Sequence, residues 1–313
     1  MCTSILLRYK GGEVLGRNMD YEYPLHYNVL YLPAGYEYAE DLYGNPLSGK
    51  YAMMGLCFEN RDPLKDGVNE HGFMGCTNSF SLFRNYRDEV DPDKKVNLSS
   101  LYYFNYALAN YRDVDELVAD LPNIHISKKN AKGEDVICPD FHYYFVDKKG
   151  KSIVIEPNKG VLEAIENPYD VMTNSPGLAS HERRLKKLMD LEKLGDYNAA
   201  KNLPGGYDPI SRFIKAFYLT RTHVEAKGRE SAMENAYSIL EALKMPRGFV
   251  KLKGNPDHSY TRYICVYENQ VPLLTVRTSK NTRIFSLSFD AIDSSSGRQS
   301  FFLPERLELE PIL

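Results

Sequence analysis

Cys2 is the residue on which chemistry can be built. A small second residue tolerates removal of the initiator methionine, and loss of Met1 would leave a thiol and a free α-amino group on one residue. An α-amine titrates at about 7.7 to 8.0 and a thiol at about 8.5. Nearby positive charge would therefore keep the amine partly neutral and the thiol partly ionised near pH 7. An N-terminal amine can serve as general base for its own side chain, so this nucleophile needs no histidine. Arg17 and Asp20, in the run Arg17-Asn18-Met19-Asp20, bring a charged pair to the place where such a nucleophile needs one. Taken singly, each has a plainer reading: Cys2 as a frayed terminus or strand edge, Arg17 and Asp20 as a surface ion pair.

The elements that must position these groups begin with a hairpin. Thr3 to Tyr9 and Val14 to Met19 are strand-prone and flank the turn Lys10-Gly11-Gly12-Glu13. A turn centred between Gly11 and Gly12 places Cys2 opposite the Asp20/Tyr21 end of the second strand. Strict alternation then puts Arg17 on the face away from Asp20, so bringing it to Cys2 requires a bulge or an early strand end.

Other chemistries find little support. The five cysteines (Cys2, Cys57, Cys76, Cys138, Cys265) contain no CxxC pair, and the seven histidines show no HxH or HxxxH spacing. No metal site, no disulfide framework and no cofactor is expected. A formal charge of −3, from 39 basic and 42 acidic residues, excludes a global field for nucleic acid. The apolar run at the N-terminus is three residues long and ends at Arg8, and no 18-residue apolar stretch occurs. The expectation is a cytoplasmic protein without membrane insertion.

Along the rest of the chain, strands are expected at 51–58, 73–77, 142–147, 152–156, 160–165, 171–174, 260–267, 273–278 and 283–289. Helices are expected at 99–110, from Asp113, at 181–194, from Asp208-Pro209 and at 230–244. The surest of these starts at Asp208, where Ile210, Phe213, Ile214, Phe217 and Tyr218 recur at helical spacing. Hairpins dominate, so the sheets should be largely antiparallel. With no linker and no repeat, one domain over 1–313 is the economical reading.

Six segments carry a resemblance: Met1-Cys2-Thr3, Gly16 to Asp20, Asp66 to Gly72, Ser152 to Pro157, Val171 to Pro176 and Ser211-Arg212-Phe213. Together and in order they resemble the choloylglycine hydrolase family, N-terminal-nucleophile hydrolases that include bile salt hydrolases and penicillin V acylases. The resemblance implies an α+β fold, a four-layer αββα sandwich of two largely antiparallel sheets. It implies Cys2 as nucleophile, its α-amine as base, Arg17 and Asp20 as the groups that hold and polarise them, Asn174 as oxyanion donor and Arg212 as the completing charge. A side-chain amide of this kind is worth about 2.7 to 4 kcal/mol in comparable sites. From local sequence alone, Asn174 reads as a turn former before Pro176 and Arg212 as a solvated side chain opposite the apolar stripe.

The sequence departs from the family in two places. After Phe73 to Asn78, where the family carries Asn or Tyr, the register places Ser79, with Asn78 one residue away; both are candidate substrate contacts. The stretch from Asn174 to Arg212 is short and carries the charged 181–194 helix, with Lys186, Lys187, Glu192 and Lys193 exposed, so a dimer is expected in place of the family's tetramer. The implied substrate is a small molecule with a linear, non-peptide amide bond and a bulky apolar acyl group, held by loops near 21–28, 58–65, 78–86 and 134–142. The wording of Asp66 to Gly72 and Ile153 to Pro157 leans toward penicillin V, with conjugated bile salts next and N-acyl homoserine lactones third. A non-catalytic binding protein that keeps the fold is the alternative from another class.

Overall fold

The computed structural model describes residues 1–81, 86–189, 200–251, 257–309 and 311–312. The N-terminal hairpin is present as strands β1 (Cys2–Tyr9) and β2 (Gly12–Tyr21). Its loop is Lys10-Gly11, with Gly11 at φ +121°, which only glycine adopts without strain. The register therefore differs from the expected one: Tyr9 pairs with Gly12, Ser4 with Arg17 and Cys2 with Met19. Directly paired residues share a face. Cys2, Ser4, Met19 and Arg17 thus lie on one side of the hairpin, with Asp20 on the other, and neither a bulge nor an early strand end is needed to bring Arg17 to Cys2.

Two antiparallel sheets stack face to face. The first has seven strands, in the order Val171–Met172, β1, β2, His258–Glu268, Leu273–Thr278 and Phe285–Ser288, with Val250–Lys251 paired beside His258–Glu268. The second has eight, running Val161–Glu166, Ser152–Asn158, Phe141–Val146, Met74–Ser79, Leu64–Asn69, Met53–Phe58, Tyr27–Leu32 and Gln299–Phe302. Helices Pro209–Thr222 and Arg229–Ala242 pack on β1 and β2, and helix Ser100–Asn110 packs on the Leu64–Asn69 and Met74–Ser79 strands. The layers are helix, sheet, sheet, helix, an α+β sandwich as expected. One apolar core lies under the first pair of helices and between the sheets, and a second lies between the eight-stranded sheet and helix Ser100–Asn110.

The Asp208 cap accepts from the Ile210 and Ser211 amides, and Pro209 occupies the first turn as expected. The buried face of this helix is wider than the stripe read from sequence: Arg212, Ala216 and Thr220 are buried along with Phe213 and Phe217. The charged helix runs Leu178–Leu188, three residues earlier than expected, because Leu178, His181 and Leu185 form its buried stripe. Residues 190–194 of the expected helix, with Glu192 and Lys193, lie outside the described residues, as do 82–85 of the expected substrate loop. The Tyr27–Leu32 and Leu64–Asn69 strands escaped the sequence reading; the second contains Lys-Asp-Gly, which lacks strand character.

Candidate active site

Cys2 is 4% exposed at the start of β1. Its side chain faces the space between the sheets, where Arg17 Nη2 donates to Sγ at 3.4 Å. Arg17 is itself fully buried and fixed by several acceptors. Nη1 donates to Asp66 Oδ2 and to the Lys65 carbonyl at 3.0 Å, and Nη2 also donates to the Thr77 carbonyl. Asp66 is held in turn by the hydroxyls of Tyr263 and Tyr267, each at 2.5 Å and each on a different carboxylate oxygen. Burial works against the Arg17 charge, but Cys2, Tyr263 and Asp66 outweigh it and raise its pKa. The thiol therefore meets a guanidinium that remains charged.

The backbone of Cys2 faces a different set of groups. Its N–H donates to Asn174 Oδ1 at 2.7 Å, and its carbonyl accepts from Arg212 Nη1. Arg212 also donates through Nη2 to Asn174 Oδ1 at 2.8 Å and through Nη1 to Thr3 Oγ1 at 2.6 Å. Guanidinium nitrogens only donate, so the Asn174 atom facing Arg212 must be the oxygen. Asn174 Nδ2 accordingly donates to the Ser79 carbonyl at 3.0 Å. The site thus recruits Arg212, which local sequence read as solvated, because its face of the helix is pressed onto the start of β1.

Asp20 approaches from the other face of β2. Its carbonyl accepts from the Met1 amine at 2.8 Å, and its Oδ1 accepts from Thr261 Oγ1 at 2.5 Å. Burial raises its carboxyl pKa, against Arg212, the N-terminal amine and Thr261, which lower it. Arg17 and Asp20 are therefore not one ion pair: Arg17 contacts the Cys2 thiol, and the Asp20 backbone pairs with Met1.

The two candidate substrate contacts diverge. Asn78 is fully buried, and its Nδ2 donates to the Thr173 carbonyl at 2.9 Å and the Met172 carbonyl at 3.3 Å, which makes it a tie between the sheets. Ser79 ends its strand half-buried, with its hydroxyl 2.7 Å from that of Ser81.

Sequence reasoning assigned no role to two histidines that hold the turn carrying Asn174. His142 Nε2 bonds the Thr173 carbonyl and His181 Nε2 the Asn174 carbonyl, each at 2.9 Å. Asp66 lay within a recognised motif but was given no task there. The sequence around it, Lys65-Asp66-Gly67-Val68-Asn69-Glu70, is largely polar and carries no local signal of a buried carboxylate. Near Cys2, Tyr27 packs edge-on against Phe58 at 5.1 Å and Tyr263 at 5.0 Å, while Tyr21 stacks on Phe58 at 5.5 Å. In this aromatic wall Tyr21, Tyr27 and Phe58 lie in the 21–28 and 58–65 segments, and Tyr263 on the strand His258–Glu268. Among the described residues there is no group of three or more side chains able to hold a metal ion.

Residues 2–296 match the family described as linear amide C–N hydrolases, choloylglycine hydrolase family. The chain belongs to the choloylglycine hydrolase family. Choloylglycine hydrolase relatives include the bile salt hydrolase/transferase of Clostridium perfringens, 30% identical over 287 residues that cover 85% of this chain and 86% of that protein. The bile salt hydrolase/transferase of Lactiplantibacillus plantarum is 24% identical over 307 residues, covering 93% of each. The fold is that of a conjugated bile acid hydrolase from C. perfringens, with a TM-score of 0.86 at 23% identity over the whole of both chains. It is also that of a penicillin V acylase from Agrobacterium tumefaciens, with a TM-score of 0.78 at 19% identity over 96% of this chain and 90% of the other. The protein is a hydrolase of C–N bonds in linear amides.

Proposed function

We propose that Cys2, freed by loss of Met1, attacks the amide carbonyl of a substrate with a bulky apolar acyl group. The observation that carries this reading is the Arg17 guanidinium on the Cys2 thiol, with the Cys2 nitrogen held on Asn174 from the opposite side. The thiolate adds to the carbonyl carbon, the C–N bond breaks, and the departing amine takes a proton from the α-ammonium group. Water then adds to the thioester, the α-amine accepts its proton, and the carboxylic acid leaves as the C–S bond breaks. Asn174 keeps one Nδ2 hydrogen beyond its bond to Ser79, and that hydrogen is the donor for the developing oxyanion. Asp20 and Arg212 fix the amine end and stabilise its charge changes.

The names of the curated relatives favour conjugated bile salts over penicillin V, against the lean of the motif wording. The Tyr21, Tyr27 and Phe58 wall suits the apolar acyl face of either. Five free cysteines, four of them buried, support residence in a reducing compartment such as the cytoplasm. The test is a hydrolysis panel of penicillin V, glycine and taurine bile salts and a long-chain acyl homoserine lactone, run beside mass analysis of the N-terminus. Protein lacking Met1 should hydrolyse at least one amide, and protein retaining it should be inert. Full activity with Met1 in place would overturn the α-amine as base.

A further inference from the structure

Lys65 is 7% exposed, and among the described residues its ammonium has no hydrogen-bond or ion-pair partner. Lysines are seldom this buried unless paired. The mechanism above makes no use of this side chain, although its backbone carbonyl accepts from the same Arg17 that touches the Cys2 thiol.

Its position is set by an irregularity in the sheet. On the neighbouring strand Leu56 pairs with Asp66 and Cys57 pairs with Leu64, so Lys65 is the extra residue of a bulge, a device that re-aims a side chain. Its Nζ lies over the ring of Phe58 at 5.0 Å and over that of Phe141 at 5.4 Å. Phe58 belongs to the aromatic wall beside Cys2, and Phe141 pairs with Ser79, whose carbonyl anchors Asn174. The rings hold the ammonium by their faces and leave its N–H donors unspent.

Charge gives the second reason. Asp66, the carboxylate next to Lys65 in the chain, is already matched by Arg17, and Asp20 lies in the field of Arg212. Burial and then Arg17 push its pKa down to about 8, against the opposing pull of Cys57 and Asp66, as expected of an ammonium still in need of an anion.

We infer that Lys65 is a specificity residue that binds an anionic group, a carboxylate or sulfonate, carried by the amide substrate. The inference rests on the reading of Cys2 as nucleophile, because that reading places the substrate beside Phe58. It sorts the candidate substrates by chemistry. Glycine and taurine conjugates and penicillin V carry an anion on the amine half, and acyl homoserine lactones carry none.

Three amides with the same chain length test it: a fatty-acyl glycine, the matching fatty-acyl glycinamide, and a glycinamide whose acyl chain ends in a carboxylate. Lys65→Gln should raise KM for one of the two carboxylates by about tenfold or more, as loss of a charged hydrogen bond does. Its kcat should change by less than about threefold, the KM of the neutral amide should stay within the same limit, and Lys65→Arg should recover most of the loss. The affected carboxylate tells which half of the substrate Lys65 meets. Equal shifts for all three amides would show a structural role only, and no shift would remove Lys65 from recognition; either result overturns the inference. Calorimetry of the same amides on the Cys2→Ser protein, with and without Lys65→Gln, reads the contact without turnover. An inert wild-type enzyme would then refute the Cys2 reading alone, while binding that favours neither carboxylate over the neutral amide, or no binding, would refute the role of Lys65.

Discussion

Arg17 and Asp66 form a buried ion pair that spans the two sheets, and the free edge of the same guanidinium touches the Cys2 thiol. One arginine thus joins the two sheets and contacts the thiol. A buried charge is tolerable only when it is paired and hydrogen-bonded. Here the two tyrosine hydroxyls and two backbone carbonyls supply what Asp66 alone cannot.

Replacing Cys2 by serine should lower turnover several hundredfold or more, with KM and melting temperature little changed. The two side chains are nearly equal in size, and a hydroxyl is a far weaker nucleophile at neutral pH. Steady-state kinetics on the best substrate of the hydrolysis panel measures this. Activity within a factor of about three of wild type would remove Cys2 from the nucleophile role.

Asp66→Asn should cost about 3 to 5 kcal/mol of folding stability, because it leaves Arg17 buried and charged without a counter-ion. Urea unfolding of both proteins gives the difference. A loss below about 1 kcal/mol would mean that the tyrosines and carbonyls satisfy Arg17 without help from the carboxylate.

The elements of the fold were legible because their signals are local. Asp208-Pro209 with its apolar repeat, the Lys148-Lys149-Gly150 turn and the glycines after Tyr9 each mark one boundary and need no distant partner. The placement of the site was less so. A two-residue loop in place of a longer turn changed which residue faces Cys2, and that choice depends on Gly11 taking a positive φ. Arg212 could not be recognised as buried from its helix alone, since burial comes from β1, two hundred residues earlier. The same holds for Asp66, whose partners Arg17, Tyr263 and Tyr267 all come from the opposite sheet, and for Lys65, whose ring partner Phe141 lies far along the chain.

His181 gives the chain a pH-dependent stability. Burial lowers its pKa to about 4, and its ring stacks on Phe213 with centroids 4.6 Å apart. The ordinary value is about 6.5, so between pH 6.5 and 4 the unfolded chain binds a proton that the folded chain does not. Stability from this residue is complete above pH 6.5 and falls with pH by up to about 1.4 kcal/mol per unit. Urea unfolding at pH 7 and pH 5 should show this slope in wild type and a shallower one in His181→Asn. Identical slopes in the two proteins would place the proton uptake elsewhere.

Assembly is the last expectation, and it turns on helix Leu178–Leu188. Arg183, Arg184, Lys186 and Lys187 are exposed on it, while its apolar stripe of Leu178, His181 and Leu185 is already spent against the core. Charged side chains are depleted from interface centres, and a helix with its apolar face occupied has little left to bury against a copy of itself. Leu188, 57% exposed, is one apolar residue at its end, which is too little for a stable contact. This helix should therefore stay in water, and the protein should assemble as a dimer through other surfaces. Light scattering at micromolar concentration measures the mass directly: twice the 35.8 kDa chain is expected, and four times that mass would show that the segment between Asn174 and Arg212 joins subunits after all.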